Sequence, residues 1–270
     1  MSIVDTAKVE LFRLSRDRAA VFWGFFFVPS AYLLVTLALD LAPVSSSRDA
    51  IASMDPILRA ARALAMGGNP FLHVFVAIGA VAVYGAEYHH ATWRLIGPRA
   101  PRSAFYLAKT ATFILLASAS LTLMAAVSAG FGWAAIVIGR VLPPKDGLNV
   151  SSIPPTLAVS ILELAVVGLF CSLVVVLTRS RLAAVIATLF FSIGQIMAES
   201  YFTPAPDGGW WLASPVFASD FVRASVLPAD GVPSPPLFAI GLAWLSLLLW
   251  CGLFSVAALA VLRSQDWSRE

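Results

Sequence analysis

Residues 237–262 read LFAIGLAWLSLLLWCGLFSVAALAVL, without one charged side chain. A helix rises 1.5 Å per residue and needs about 20 apolar residues to cross a bilayer, and this stretch exceeds that length. Residues 63–86 and 110–139 are uncharged in the same way. The chain therefore reads as an all-α polytopic membrane protein, and its chemistry must be sought in its loops and in the few polar groups within its spans.

Composition agrees. Of 270 residues, 59% are hydrophobic and 12% charged, against roughly 25% charged in an ordinary soluble domain. A net charge of +3 is too small to point to nucleic acid. Cys171 and Cys251 fall inside apolar runs and read as reduced packing residues. Three histidines, with no Cys/His spacing of a metal site, give no metal centre. The first apolar run is longer than a signal-peptide core and follows a mixed-charge leader, so no cleavage is expected.

Six spans can be drawn: Val21–Leu41, kinked or broken near Pro29; Phe71–Ala86; Thr110–Gly139; Thr156–Thr178; Leu182–Ala198; and Leu237–Leu262. Basic residues choose the orientation. One set of connections holds Lys8, Arg13, Arg16, Arg18, Arg94, Arg99, Arg102, Lys109, Arg179, Arg181, Arg263 and Arg269. The other holds only Arg48, Arg59, Arg62, Arg140, Lys145 and Arg223. Lys and Arg concentrate on the cytoplasmic side, which places both termini there. The extracytoplasmic loops are then 42–69, with a short helix around Asp49–Met66, 140–155, and 199–236. The last carries seven prolines and the pair Trp210–Trp211, and suits a re-entrant or interfacial segment before span six. No internal repeat suggestive of a secondary transporter is present.

Residues 1–19 form an amphipathic segment. Val4, Ala7, Leu11 and Leu14 recur at helical spacing, with Asp5, Lys8, Arg13, Arg16 and Asp17 on other faces. It reads as an interfacial helix on the inner membrane surface.

Residues 87–109 read EYHHATWRLIGPRAPRSAFYLAK. The first half is helical in pattern, Trp93 and Ile96 make an apolar ridge, Pro98 breaks the helix, and a second amphipathic start follows. Such a knob suits insertion into a partner's groove; a loop bound only to headgroups through Arg94, Arg99 and Arg102 is the plainer alternative. Glu-Tyr-x-x-x-Thr-x-Arg-Leu, a short break, Pro-Arg and a Lys opening the next span resemble the first cytoplasmic loop of bacterial ABC-2 type permeases, the membrane halves of ATP-driven exporters. The leader, six spans, inward termini and elaborated segment before the last span match that family too.

The resemblance implies that this loop is a coupling helix docking on an ATPase, through Glu87, Tyr88, Thr92, Trp93, Arg94, Leu95, Pro98 and Arg102. It implies two ATPase copies carrying ATP and Mg, a second permease copy (identical or related), membrane lipid around the pair, a periplasmic partner in some branches, and a place in the bacterial cytoplasmic membrane. No Gly-x-x-x-x-Gly-Lys-Ser/Thr phosphate loop occurs in the chain, so no ATPase site and no cofactor are expected of it. Family likeness points to an amphiphilic cargo moving outward.

Within the spans, polarity is sparse. Glu163 lies well inside the fourth, where a carboxylate must be neutral, paired or wet. With Gln195 and Glu199, and Asp40 at another span end, it is a candidate lining of an outer substrate path, or else a locally paired group among boundary residues. His73 reads as a boundary residue. An integral-membrane enzyme would need an acid or base partner at the depth of Glu163, and the sequence offers none. A non-transporting scaffold that recruits a soluble partner through residues 87–109 stays open as an alternative.

Overall fold

A computed structural model describes residues 3–41, 55–90, 101–138, 150–201, 209–227 and 235–265. Every regular element among them is helical. In order these are α1 (Ile3–Arg16); α2 (Arg18–Val21), which runs through a π turn at Phe22–Phe26 into α3 (Phe27–Leu41); α4 (Pro56–Ala65); α5 (Pro70–Tyr84); α6 (Ala86–His90); α7 (Arg102–Val137); α8 (Ile153–Thr178); α9 (Arg181–Tyr201); α10 (Pro215–Val226); and α11 (Leu237–Ser264). Tight 3-10 turns at Met66–Gly68, Val150–Ser152 and Gly209–Ala213 precede α5, α8 and α10.

Five helices are long and apolar enough to cross a membrane, and a sixth span results if Pro56–Gly68 and Pro70–Tyr84 count as one piece bent by 66°. Span two therefore differs from its sequence reading. Its 15-residue α5 falls short of the roughly 20 residues a crossing needs, and α4 extends it. The stretch expected within an outer loop is folded into the bundle instead, burying Pro56, Ala60, Ala61, Ala63 and Leu64. Both helices have clear starts. Asp55 and Asn69 each accept the backbone N–H two residues on, at 2.9 Å, and a proline fills the first helical position, where a missing N–H costs nothing.

The carbonyls freed at the bend are met by side chains. Ser160 donates to Leu64 O at 2.7 Å and His73 Nε2 to Gly67 O at 2.9 Å, while Ser128 holds the middle of α4 through Arg59 O at 3.1 Å. A carbonyl only accepts, so Nε2 carries the proton and Nδ1 accepts from the Ser192 hydroxyl at 3.2 Å. His73 is thus a buried clasp on the bend rather than the boundary residue its position suggested. Irregular backbone at membrane depth is tolerated where protein groups satisfy it in this way.

The expected break near Pro29 takes the form of the π turn one helical turn earlier. Proline has no N–H for the carbonyl four residues back. That carbonyl, Phe25 O, instead receives the Ser120 hydroxyl of α7. α7 itself has 36 residues, roughly 54 Å. It starts at Arg102 rather than Thr110, because Lys109 is neutralised by ion pairs and no longer marks an end.

At the centre lies α8, with 72% of its most apolar window buried against 17–39% in the other span candidates. It packs on α4, α5, α7, α9, α10 and α11. Small residues permit the close approaches. Gly24 lies against Gly79, and Gly168 lies against the tip of the wholly buried Phe113 ring. Gly168→Leu is expected to cost about 1–3 kcal/mol by overpacking, read as a lower melting temperature of the purified chain in detergent. Gly194→Ala, whose Cβ would meet nothing within 4 Å, is expected to leave the melt unchanged or slightly higher.

Candidate functional site: a charge cluster at the base of the 87–109 loop

The last turn of α5 ends with carbonyls that no helical N–H can reach, and three helices send cations to them. Arg13 of α1 donates to Ala82 O and Val83 O, both at 3.2 Å. Lys109 of α7 donates to Val83 O. Arg181, opening α9, donates to Gly85 O at 3.3 Å. Cations at a helix C-terminus are also favoured by its dipole.

Two carboxylates balance Lys109 and Arg13. Lys109 Nζ lies 2.8 Å from Glu87 Oε1 and 3.2 Å from Glu10 Oε1. With Val83 O, all three ammonium protons find acceptors. Arg13 adds a 2.7 Å pair to Glu10 and a longer approach of 3.9 Å to Glu87. Glu10, Glu87 and Lys109 are only 2–3% exposed, so none of them keeps a hydration shell. Glu10 and Glu87 together match the charge of Lys109 and Arg13, which is the condition for burying these groups at tolerable cost, while Arg181 is half-buried at the edge. Phe105 closes one side, its ring centroid 4.8 Å from the ammonium.

This arrangement decides which face of α1 meets the bundle. α1 is amphipathic, but Thr6 and Glu10 face the bundle together with Leu14, while Val4, Val9 and Phe12 are exposed. The sequence pattern set the apolar residues against the inner surface and the charges elsewhere. The structure turns Glu10 and Arg13 inward because the buried ammonium of Lys109 needs an anion more than the helix needs another apolar contact.

Of the eight residues expected to couple to a partner, Glu87, Tyr88 and Arg102 are described, and all three are anchored. Glu87 is in the cluster. The Tyr88 hydroxyl donates to Gln265 Oε1 at 2.9 Å, and Gln265 Nε2 donates to Val176 O at 2.7 Å. Burial pushes the Tyr88 hydroxyl up to about 12, so it stays a proton donor across the physiological range. Arg102 donates to Leu262 O at 3.3 Å and to Arg263 O, covering the carbonyl end of α11. Both flanks of the loop are thus fixed to the same helix end. Thr92, Trp93, Arg94, Leu95 and Pro98 lie outside the described residues.

The residues assigned to a substrate path are not joined. Glu163 pairs with Arg223 of α10 and accepts the Ser219 hydroxyl at 3.0 Å. Gln195 is half-buried on α9, and among the described residues no hydrogen bond links it to Glu163. The side chains of Asp40 and Glu199 lie outside the described set. Glu10 and Arg223 are the functional candidates that sequence reasoning passed over. The one signal for Glu10 was the isolated Lys109 at the head of an apolar run; Arg223 had its clue in Glu163.

Compared with models of known families and with curated proteins, the chain matches none. What can be said of its activity therefore rests on this geometry and on the loop motif.

Lys109→Met would leave Glu10 and Glu87 without the buried cation between them, with only Arg13, 3.9 Å from Glu87, to serve both. It is expected to cost about 3–5 kcal/mol, as removal of one partner of a buried pair does. Adding Glu10→Leu to Lys109→Met is expected to restore at least about 1 kcal/mol. Thermal melts of the two single variants and the double variant measure this; strictly additive losses would show that the charges do not act as one group.

Proposed function

We propose that this chain is the transmembrane permease subunit of an ATP-driven exporter of the ABC-2 type, working as a pair with an identical or related permease on two separate ATPase subunits. The observation that carries the reading is the anchoring of both flanks of residues 87–109. A loop that receives a mechanical push must be stiff at its base, or the work is lost in local bending. Here Glu87 is tied to α1 and α7, while Tyr88 and Arg102 are tied to the carbonyl end of α11.

In this reading the cluster lies at the cytoplasmic face, with both termini on that side. ATP and Mg belong to the partner, because the chain has no phosphate-binding loop. Closure of the ATPase pair displaces the loop. The displacement passes through Glu87 and Lys109 to α1 and α7, and through Tyr88 and Arg102 to α11. Coupling requires that the loop bind its partner differently in the two nucleotide states. By likeness to the family, the cargo is an amphiphile moved outward, and the site is the bacterial cytoplasmic membrane.

The test is reconstitution with an ABC-type ATPase that co-purifies with the full chain. Co-purification and hydrolysis stimulated by the permease are expected, with Arg94→Ala lowering the stimulation about tenfold, as loss of a charge-assisted contact of ~1.5 kcal/mol would. Membrane insertion of that variant should be unaffected. Binding with no change in hydrolysis would identify a recruiting scaffold instead.

A further inference from the structure

The apolar interior has two parts. The large one gathers residues of α1, α4, α5, α7, α8 and α9 with the last third of α11. A smaller one consists of Val159, Leu212, Ala218, Val222, Ala239, Ala243 and Leu247. It joins α10 and the Gly209–Ala213 turn to the first half of α11 and to Val159 and Leu162 of α8. The short helix α10 therefore shares a small apolar cluster with α11 and one turn of α8, apart from the main core.

Its polar attachment is equally local. Ser219 and Arg223, one turn apart on α10, both reach Glu163. The guanidinium also takes Asp220 at 2.7 Å, and it lies against the 3-10 turn of the bent span, where a Cβ on Gly68 would stand 2.6 Å from Nη1. Glu163 and Arg223 are 4% and 8% exposed. Arg223 Nε, although buried, has no hydrogen-bond partner. An ion pair that must be desolvated yet is incompletely satisfied holds position more than it adds stability.

We infer that α10 is a movable cap, latched to the bundle by Arg223 and Ser219 on Glu163, which can leave α8 and the bent span as a unit while the main core stays closed. The physical basis is a small apolar core distinct from the main one, and one carboxylate on which the Arg223 and Ser219 contacts converge. Elements with few apolar contacts to the remainder open first. When Glu163 loses its charge or exchanges Arg223 for another cation, both polar contacts weaken together. The inference goes beyond the exporter reading and does not need an ATPase, so each can fail alone. Within that reading the cap closes the end of the bundle opposite the loop.

Amide hydrogen exchange of the full chain in lipid nanodiscs tests it. In the unaltered protein, residues 215–226 are expected to exchange faster than the buried stretch of α8 at 159–176. Glu163→Gln is expected to speed exchange in 215–226 by about tenfold or more, leaving 159–176 and the middle of α7 unchanged. Exchange rising in step across α7, α8 and α10, or no rise in α10, overturns the latch. Should Glu163→Gln not accumulate, Arg223→Lys keeps the charge but loses the forked donor. It is expected to give a severalfold rise confined to 215–226, and an unchanged rate there overturns the proposal as well.

Discussion

The end of α5 poses the problem that the rest of this fold answers. A helix that stops inside a largely apolar bundle leaves a ring of carbonyls with partial negative charge and no water to meet them. Lys109, Arg13 and Arg181 supply the protons. Their own charge then has to be balanced, which draws in Glu87 from the following segment and Glu10 from the amino-terminal helix. One electrostatic requirement thereby ties α1, α5, α7 and α9 at one level. It also explains why α1 shows valine and phenylalanine to its surroundings while it buries a carboxylate.

The far end solves a similar problem with fewer parts. The bend between α4 and α5 frees backbone groups, and Ser160, His73 and the neighbouring guanidinium of Arg223 attend to it. Here the charges come from α8 and from a short helix with its own small core. The two ends therefore differ mechanically. One is a cluster of three cations and two carboxylates shared among four helices. At the other, two side chains of one short helix converge on a single carboxylate beside a small apolar core. An asymmetry of that kind suits a molecule that takes force at one end and yields at the other.

Much of this architecture was legible in the residues. The long uncharged runs at 110–139 and 237–262 both appear as helices, since length and apolarity are local properties. Before the last span lies α10, where Pro215 opens a helix too short to cross. Span two was less legible. Its apolar run is short, and the bend at Met66–Asn69 reads as a loop because glycine, asparagine and proline signal a turn whether the chain leaves the bundle or folds back into it. The helical period of α1 was clear, but its inward face was not. Period determines which residues share a face, whereas the identity of the partner determines which face is buried.

The sequence by itself determined the solvent and the class: uncharged runs of spanning length fold as helices in lipid, and the sparse charges mark where those runs end. Only the tertiary structure decided which charges meet. Glu10 with Lys109, and Glu163 with Arg223, come from helices far apart along the chain. A buried ion selects its partner by position in a medium of low dielectric, where the nearest opposite charge outweighs any local pattern. No periodicity in one helix carries information about an ion carried by another.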